Sequence, residues 1–250
     1  ATYNHIDFIE QDPISIPHAF SKKQDIEIAG FFAAIFSWGN RKVIIAKSKE
    51  LMGMMENEPH DFVLHHSSKD LKGIYKFRHR TFNGEDMIYF LHFLQKHYTK
   101  NDSLKIAFTK HISVRKNKME YALNGFYHYF FEDSNAQIFN RTRKHIAAPG
   151  KNSTCKRLNM YLRWMVRKDT AGVDFGLWNS IKTADLICPL DVHVIRVANQ
   201  LKLLHNEKVN WQTACLLTHK LKKFDKNDPV KYDFALFGMG VSEKSILNDE

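Results

Sequence analysis

Residues 148–167 have the sequence APGKNSTCKRLNMYLRWMVR, in which a Pro-Gly turn leads into an amphipathic helix. The Pro-Gly pair ends any preceding helix, so a new helix has to begin after it. Leu158, Leu162 and Met165 then follow at intervals of four and three, which is the spacing of a buried helix face. This stretch therefore predicts a turn followed by a helix over residues 154–167.

A second face of this predicted helix is basic. Four residues share it because they are spaced at offsets of zero, four, seven and eleven: Lys156, Met160, Arg163 and Arg167. Residues 141–168 as a whole contain nine Lys or Arg and no Asp or Glu, in a chain whose net charge is +10. This concentration of positive charge produces an electric field that attracts polyanions, and nucleic acid is the commonest of them. The alternative is a solvated basic surface that has no partner.

In the rest of the chain, outside the turns, apolar residues also recur with the period of an α-helix. Further helices are predicted over residues 25–37, 41–55, 86–97, 189–201, 211–224 and 229–237. The aromatic run FYHYFF at 126–131 is expected to lie in the core. No turn dipeptide is flanked by alternating apolar residues, so hairpins are not indicated and the predicted fold class is all-α.

A chain of 250 residues can form one large domain or two small subdomains that share a core, and we expect two helical subdomains that flank a cleft. Residues 26–148 form the predicted central helical subdomain. Residues 1–25 together with 149–250 form the second, which carries the Pro-Gly turn. A hinge is expected at residues 148–153.

Composition limits the class of protein. Hydrophobic residues make up 44% and charged residues 26%, values typical of a folded globular chain. No apolar run is long enough to cross a membrane, and the first residues lack a secretory signal pattern, so a cytoplasmic protein is expected. The three cysteines, Cys155, Cys188 and Cys215, are too few and too dispersed for a disulfide scaffold. The fourteen histidines lack the spacing of a helical zinc site, so no metal is expected.

A second segment, CPLDVHVIRVAN at 188–199, places Asp191 at the head of an apolar-faced helix. A helix N-terminus with outward backbone amides binds phosphate, and Lys156 would lie beside the bound backbone. Its cationic neighbours would favour the neutral amine, which is a nucleophile. Asp191 would then stabilise a cationic sugar or accept a proton.

Simpler interpretations stay open for these residues. Asp191 on its own is an ordinary N-cap, worth about 1 kcal/mol. Lys156 on its own is more typical of a phosphate contact than of a nucleophile. Lys182 lies only nine positions before Asp191 and is the rival nucleophile.

These segments resemble the helix-hairpin-helix (HhH-GPD) DNA glycosylase superfamily. Pro149 and Gly150 match its hairpin turn, and PLDVHVIRVAN at 189–199 matches the helix that carries its essential aspartate. The segment FFAAIFSWGNRKV at 31–43 is similar to the early helix-turn-helix that meets the minor groove of DNA. Two further segments, residues 156–167 and residues 228–237 (DPVKYDFALF), resemble an uncharacterised bacterial family usually assigned to this superfamily.

The resemblance implies a DNA glycosylase with AP lyase activity in base-excision repair. Lys156 would attack C1′ of a flipped-out damaged nucleotide, and Asp191 would stabilise the sugar and accept the lysine's proton. The implied partner is double-stranded DNA with a damaged base, in the bacterial nucleoid, with no obligate protein partner. Implied DNA contacts are Asn40, Arg41, Pro149, Gly150, Lys151, Asn152, Ser153, Arg157, Arg163 and Arg167. Candidates for stacking on the base are Trp38, Phe175 and Trp178.

The sequence departs from the superfamily pattern in the hairpin and in the spacing. Asn152 replaces the second hairpin glycine, and asparagine accepts positive φ better than most residues. Lys156 lies two places later than usual, and 35 positions separate it from Asp191, a long gap that resembles the archaeal 8-oxoguanine glycosylases. An oxidised purine is therefore the favoured substrate. The cysteine quartet of the endonuclease III branch is absent, so no iron–sulfur cluster and no other cofactor is expected.

Two other classes of function fit the same residues. One is a non-catalytic DNA- or RNA-binding protein that keeps the fold without the chemistry. The other is a helical scaffold whose basic face docks an acidic protein.

Overall fold

The computed structural model describes residues 6–110, 112, 117–132 and 140–246. Over these residues the chain consists of α-helices, short 3-10 helices and irregular segments. Extended pairing in the described part is limited to two isolated bridges, His79 with Phe82 and Lys168 with Phe175. The predicted all-α class is confirmed.

The chain divides into two compact units. The N-terminal unit comprises the described residues of 9–114 and 121–146, and the C-terminal unit comprises those of 1–8, 115–120 and 147–250. Residues 9–25 were expected to group with residues 149–250, but they belong to the N-terminal unit. The reason is that the 3-10 helices Pro13–Ser15 and Pro17–Ala19 pack on the first helix of that unit.

The N-terminal unit contains six complete helices and most of a seventh among its described residues. They are α1 (Lys23–Phe36), α2 (Arg41–Met54), α3 (Pro59–His65), α4 (Ser68–Ile74), α5 (Gly84–Tyr98), α6 (Lys105–Thr109) and α7 (Lys118–Phe130), with a 3-10 helix at Thr142–His145. The first turn of α7 belongs to the C-terminal unit. The predictions for α1, α2 and α5 are correct to within two residues, whereas α3, α4, α6 and α7 were not predicted as helices.

Aromatic side chains form the core of the N-terminal unit. Phe31 of α1 stacks on Phe90 of α5 with ring centroids 5.7 Å apart, and Phe126 of α7 stacks on Phe108 of α6 at 4.1 Å. Phe126 and its neighbours Tyr127, Phe130 and Phe131 are all buried. The expectation that the run 126–131 lies in the core is confirmed for these four residues, whereas Tyr129 is half-buried and His128 is exposed.

A buried carboxylate anchors the start of the basic stretch within this unit. Asp86 belongs to the capping box of α5, and its side chain is fully buried. It accepts hydrogen bonds from Arg141 at 2.8 Å, Thr142 at 2.8 Å and His145 at 3.2 Å. Burial alone would raise the pKa of Asp86, but the hydrogen bonds from His145, Asn83 and Thr142 outweigh it and lower the pKa.

The C-terminal unit contains four complete helices among its described residues: α8 (Lys156–Val166), α9 (Val192–Gln200), α10 (Trp211–Leu221) and α11 (Asp233–Ile246). Helices α9 and α11 pack against each other, and the core around α9 includes Leu190, Val194 and Leu217. The helix predicted over 229–237 is wrong in detail, because Pro229–Tyr232 is a 3-10 helix and α11 begins only at Asp233.

None of the helices in the described ranges combines the length and the apolar character needed to cross a membrane.

We predict that Asp86→Ala lowers the free energy of unfolding of the N-terminal unit by about 3 kcal/mol near neutral pH, since it leaves buried donors without their carboxylate. Because the pKa of Asp86 is lower in the folded chain than in the unfolded chain, this stabilisation is present at neutral pH. It is lost as the pH falls from the pKa of an unfolded aspartate through the lower value of the folded protein. The matched control is Asp70→Ala, since Asp70 holds the same capping-box position in α4 but is exposed to solvent. Denaturant unfolding measures both variants, and equal losses would contradict the assignment.

Candidate active site

The Pro-Gly turn delivers Lys156 to the first position of α8. Residues Pro149–Lys151 form a 3-10 helix, and Asn152 follows in the left-handed region with φ 58°. Cys155, immediately before the helix, is also left-handed with φ 52°, and its backbone N–H donates to Ser153 Oγ at 3.1 Å. Two left-handed residues within four positions bend the chain sharply, so that α8 begins at Lys156.

Asp191 is the N-cap of α9. Its Oδ1 accepts from the backbone N–H groups of His193 at 2.9 Å and Val194 at 3.0 Å. The N-cap interpretation of Asp191 is therefore confirmed, and it leaves the second carboxylate oxygen, Oδ2, for another partner.

That partner is Lys156. Its Nζ lies 3.5 Å from Asp191 Oδ2, although 35 positions separate the two residues. The Lys156 side chain is 26% exposed and that of Asp191 21%, so the pair is partly open to solvent. In this arrangement the primary amine can form a covalent imine with a carbonyl carbon, and the carboxylate can stabilise a neighbouring positive charge. Lys182, the rival nucleophile, is exposed and precedes the 3-10 helix Thr183–Asp185.

The two arginines expected to contact DNA from α8 are buried instead. Arg163 is 5% exposed and Arg167 4%. Arg163 pairs with Asp174 at 3.3 Å and with Asp233. Arg167 pairs with three carboxylates, Asp174 at 3.0 Å, Asp228 at 2.9 Å and Asp169 at 2.5 Å.

The prediction that Arg163 and Arg167 contact DNA is therefore wrong. A guanidinium leaves water only when carboxylates replace its hydration, and these carboxylates come from positions outside the basic stretch. The positive charge counted over 141–168 overstates the basic surface accordingly. Within that stretch the exposed lysines are Lys144 in the N-terminal unit and Lys151 and Lys168 in the C-terminal unit.

The remaining expected DNA contacts of the hairpin are mostly accessible. Gly150, Lys151 and Asn152 are exposed and Ser153 is half-buried, whereas Pro149 is buried beneath them. Arg157 is half-buried, and desolvation lowers its pKa to about 10, which leaves it charged at neutral pH.

The aromatic candidates in the C-terminal unit differ in accessibility. Trp178 is fully buried and packs edge-on against Tyr161 at 5.4 Å, while its backbone N–H donates to Met165 O at 2.9 Å. It cannot stack on a base without leaving the core, so that prediction is wrong. Phe175 is half-buried and its backbone N–H donates to Trp164 O at 2.8 Å.

Three expected contacts lie in the N-terminal unit. Trp38 is half-buried, and the guanidinium of Arg80 stacks over its ring at 4.5 Å. Asn40 is exposed and caps α2 by accepting from Val43 N at 3.2 Å, and Arg41 is the first residue of that helix.

The cysteines do not supply a nucleophile. Burial raises the pKa of Cys155 to about 12 and that of Cys215 to about 11, so both thiols stay protonated at neutral pH. Burial raises the pKa of Cys188 further still. In the part of the chain that the structure describes, no group of three or more His, Cys, Asp or Glu residues could hold a metal ion.

The C-terminal unit also contains a cavity of about 270 Å³ beside α10. Trp211, Cys215 and Lys222 line it together with the first turn of α7. Neither Lys156 nor Asp191 is among its lining residues, so this cavity is separate from their pair.

Sequence reasoning missed two parts of this site. Asp233, which binds Arg163, lay inside the segment 228–237, which was given only as a predicted helix and for its resemblance. The left-handed Cys155 carried no signal, because cysteine has no preference for positive φ.

Comparison with known proteins places the chain in a family. A family model described as a protein of unknown function, DUF2400, matches residues 12–242, which is most of the chain. The chain belongs to the DUF2400 family. No curated protein and no solved structure gives a match to this DUF2400 protein.

We predict that Asn152→Ala lowers the free energy of unfolding of the DUF2400 protein by about 1 kcal/mol, because alanine resists the left-handed conformation. Asn152→Gly is the matched control and keeps stability close to wild type, since glycine adopts positive φ freely. Thermal or urea unfolding measures the difference. A glycine variant that loses as much as the alanine variant would show that the asparagine side chain matters and its backbone conformation does not.

Proposed function

We propose that this DUF2400 protein is a DNA glycosylase with AP lyase activity that excises a damaged base in base-excision repair. The observation that carries the proposal is the 3.5 Å approach of Lys156 Nζ to Asp191 Oδ2 in a partly open position. The 35-position gap between the two residues favours an oxidised purine such as 8-oxoguanine as the substrate.

In the proposed reaction the neutral amine of Lys156 attacks C1′ of the extruded nucleotide. A carbon–nitrogen bond forms while the glycosidic bond breaks, and the base leaves with the electron pair of that bond. One of the two protons on the alkylated nitrogen then passes to O4′ as the C1′–O4′ bond breaks, which opens the sugar ring and leaves a protonated Schiff base, from which the lyase step cleaves the strand. Asp191 stabilises the positive charge on the sugar as an anion held by two backbone N–H groups at the start of α9.

The hairpin supports binding of the DNA backbone. Gly150, Lys151 and Asn152 are exposed on the turn that leads into α8. An exposed lysine on a turn that leads into a helix N-terminus is suited to contact a phosphate group. Contacts of this kind position the duplex without reading its sequence.

A non-catalytic DNA- or RNA-binding protein is the second candidate. The observation that favours it is that Asp191 already has a complete structural role as an N-cap, to which an ion pair with Lys156 adds stability. Such a protein would bind duplex DNA without ever forming a covalent bond to it.

We predict that borohydride traps a covalent adduct between the wild-type protein and duplex DNA that contains 8-oxoguanine or an abasic site. Lys156→Ala abolishes the adduct because it removes the attacking amine. Lys182→Ala, the matched control, retains it. Denaturing gel electrophoresis of labelled DNA measures both.

The outcomes separate the candidates. An adduct that is lost in Lys182→Ala and kept in Lys156→Ala would show that Lys182, and not Lys156, is the nucleophile. Tight binding of the duplex by the wild-type protein with no adduct on either substrate would favour the non-catalytic candidate.

We predict that Lys151→Gln makes the salt dependence of duplex binding shallower by about 0.9 in the slope of log K against log salt, the value for one lost phosphate contact. Lys231→Gln is the control, because Lys231 lies outside the hairpin and pairs with Asp225. Fluorescence anisotropy between low and moderate salt measures both slopes. Identical slopes in the two variants would remove Lys151 from the interface.

A further inference from the structure

A tight turn in the N-terminal unit carries Arg80 at its tip. The backbone N–H of His79 donates to Phe82 O at 2.9 Å, and the N–H of Phe82 donates back to His79 O at 2.9 Å. Arg80 follows His79 in the left-handed conformation, with φ 54°, which residues other than glycine adopt rarely. We call residues 79–82 the Arg80 turn, and the arginine at its tip is exposed to solvent.

The Arg80 turn is anchored on two sides. Nε2 of His79 donates to Phe36 O, at the end of α1, at 3.0 Å, and both residues are buried. On the other side, Arg141 Nη2 donates to Thr81 O at 3.0 Å. A turn that is closed by its own hydrogen bonds and tied down on both sides holds the backbone of Arg80 in one place.

The guanidinium of Arg80 also has a defined position. Its Cζ lies over the indole ring of Trp38, 4.5 Å from the ring centroid. Gly39 comes next in the chain, with φ 102°, which favours glycine. A Cβ at position 39 would collide with Nη1 of Arg80, so the absence of a side chain there leaves room for the guanidinium. The indole ring and Gly39 together define where this cation lies.

Trp38 is oriented by contacts of its ring. Its Nε1 is buried and has no hydrogen-bond partner within the described ranges. His79 packs edge-on against the indole with ring centroids 6.1 Å apart, and Arg80 covers a face of it. A buried N–H without an acceptor costs free energy, so hydrogen bonding does not explain the position of this ring. Its contact with Arg80 is the interaction that the position provides.

The N–H groups of Arg80 remain available to a ligand. None of them donates to an acceptor in the part of the chain that the structure describes. Arg78 is also exposed and also lies over a ring, that of Tyr75 at 5.9 Å, but its Nη1 donates to Tyr75 O and Phe77 O, both at 2.7 Å. Arg80 is therefore a positioned cation with free donors, whereas Arg78 is tied to its own backbone.

The shape and charge of this group indicate its ligand. A guanidinium presents parallel N–H donors that match two oxygens of one phosphate or carboxylate group. The indole covers a face of the Arg80 guanidinium and leaves its edge, where the N–H groups lie, open. Lys42, three positions after Gly39 in the first turn of α2, is exposed as well, and the chain has a net charge of +10. This excess of positive charge favours a phosphate of a polyanion over an isolated carboxylate.

We propose that Arg80 binds a phosphate group of duplex DNA through the parallel N–H donors of its guanidinium, and that Trp38 supports it. This inference rests on the proposed function only in that DNA is the ligand, which both candidate functions share. It adds a contact in the N-terminal unit. It also gives Trp38 a different role from stacking on a base, because the face that Arg80 covers is not open to one.

The contact is tested by fluorescence anisotropy of the full chain with a labelled duplex at several salt concentrations. We expect Arg80→Gln to make the slope of log K against log salt shallower by about 0.9, the value for one phosphate contact. Affinity at moderate salt falls on the order of 10-fold, equally for duplexes of different sequence.

Arg78→Gln is the matched control for this measurement. It removes the same charge two positions away, and we expect it to leave the slope unchanged. A control variant whose slope shifts as far as that of Arg80→Gln would show an effect of net charge alone and would overturn the inference.

Arg80→Lys separates the geometry of the guanidinium from its charge. Lysine keeps the charge and therefore the slope, but it has no parallel pair of donors. We expect its affinity for the duplex to lie between those of the wild type and Arg80→Gln. An Arg80→Lys variant that binds as tightly as the wild type would overturn the bidentate contact.

Gly39→Ala tests the position of the guanidinium in a double-mutant cycle. The added Cβ displaces the Arg80 guanidinium, so this variant alone loses as much affinity for the duplex as Arg80→Gln. Combined with Arg80→Gln it loses nothing further. Thermal unfolding measures separately the strain of alanine at φ 102°. Losses of affinity that add in the double variant would overturn the dependence of the contact on Gly39.

The same measurements distinguish this inference from the proposed function. A wild-type protein that neither binds the duplex nor forms an adduct with it overturns both. A salt slope that becomes shallower in Lys151→Gln and stays unchanged in Arg80→Gln overturns only the role of Arg80. A loss in Arg80→Gln that depends on the sequence of the duplex also overturns that role, since the guanidinium would then contact a base.

Discussion

The C-terminal unit depends on two arginines of α8 that are buried among carboxylates. Arg163 and Arg167 join α8 to the segment that follows it through Asp174, and to α11 and the turn before it through Asp233 and Asp228. Removing one partner from such a buried cluster costs about 3–5 kcal/mol, because the other charge is left without compensation. Since Lys156 begins the same helix, the cluster also determines where the amine lies.

The cluster explains why charge counting along the chain was misleading. Nine bases without an acid between residues 141 and 168 indicate a strongly basic surface if all of them face solvent. The acids that neutralise Arg163 and Arg167 lie outside that stretch, at later positions. The acid that neutralises Arg141 is Asp86, at an earlier position. Pairing between distant positions is a property of the folded chain, and a charge count along the sequence cannot detect it.

Local signals were read correctly where the local chain determines the structure. Strong periodicity predicted α1, α2, α5 and α8, and a polar residue before an apolar-faced helix predicted the Asp191 cap. Asn152 was expected to tolerate positive φ, which the structure shows. The short helices α3, α4 and α6 were missed because five to seven residues are too few to display a period. Trp178 was misjudged because tertiary packing decides whether an aromatic ring lies on the surface or in the core.

The burial of Asp233 beside Arg163 has a cost in stability. A carboxyl whose pKa is raised to about 6 on folding opposes stability at neutral pH by about 3 kcal/mol, and stability falls as the pH rises from about 4 to about 6. The same cost applies to Asp174, which binds the same guanidinium and whose pKa burial also raises. Asp191 stands in contrast, since its side chain is partly open to solvent, caps α9 through two backbone N–H donors and keeps its second oxygen 3.5 Å from Lys156 Nζ.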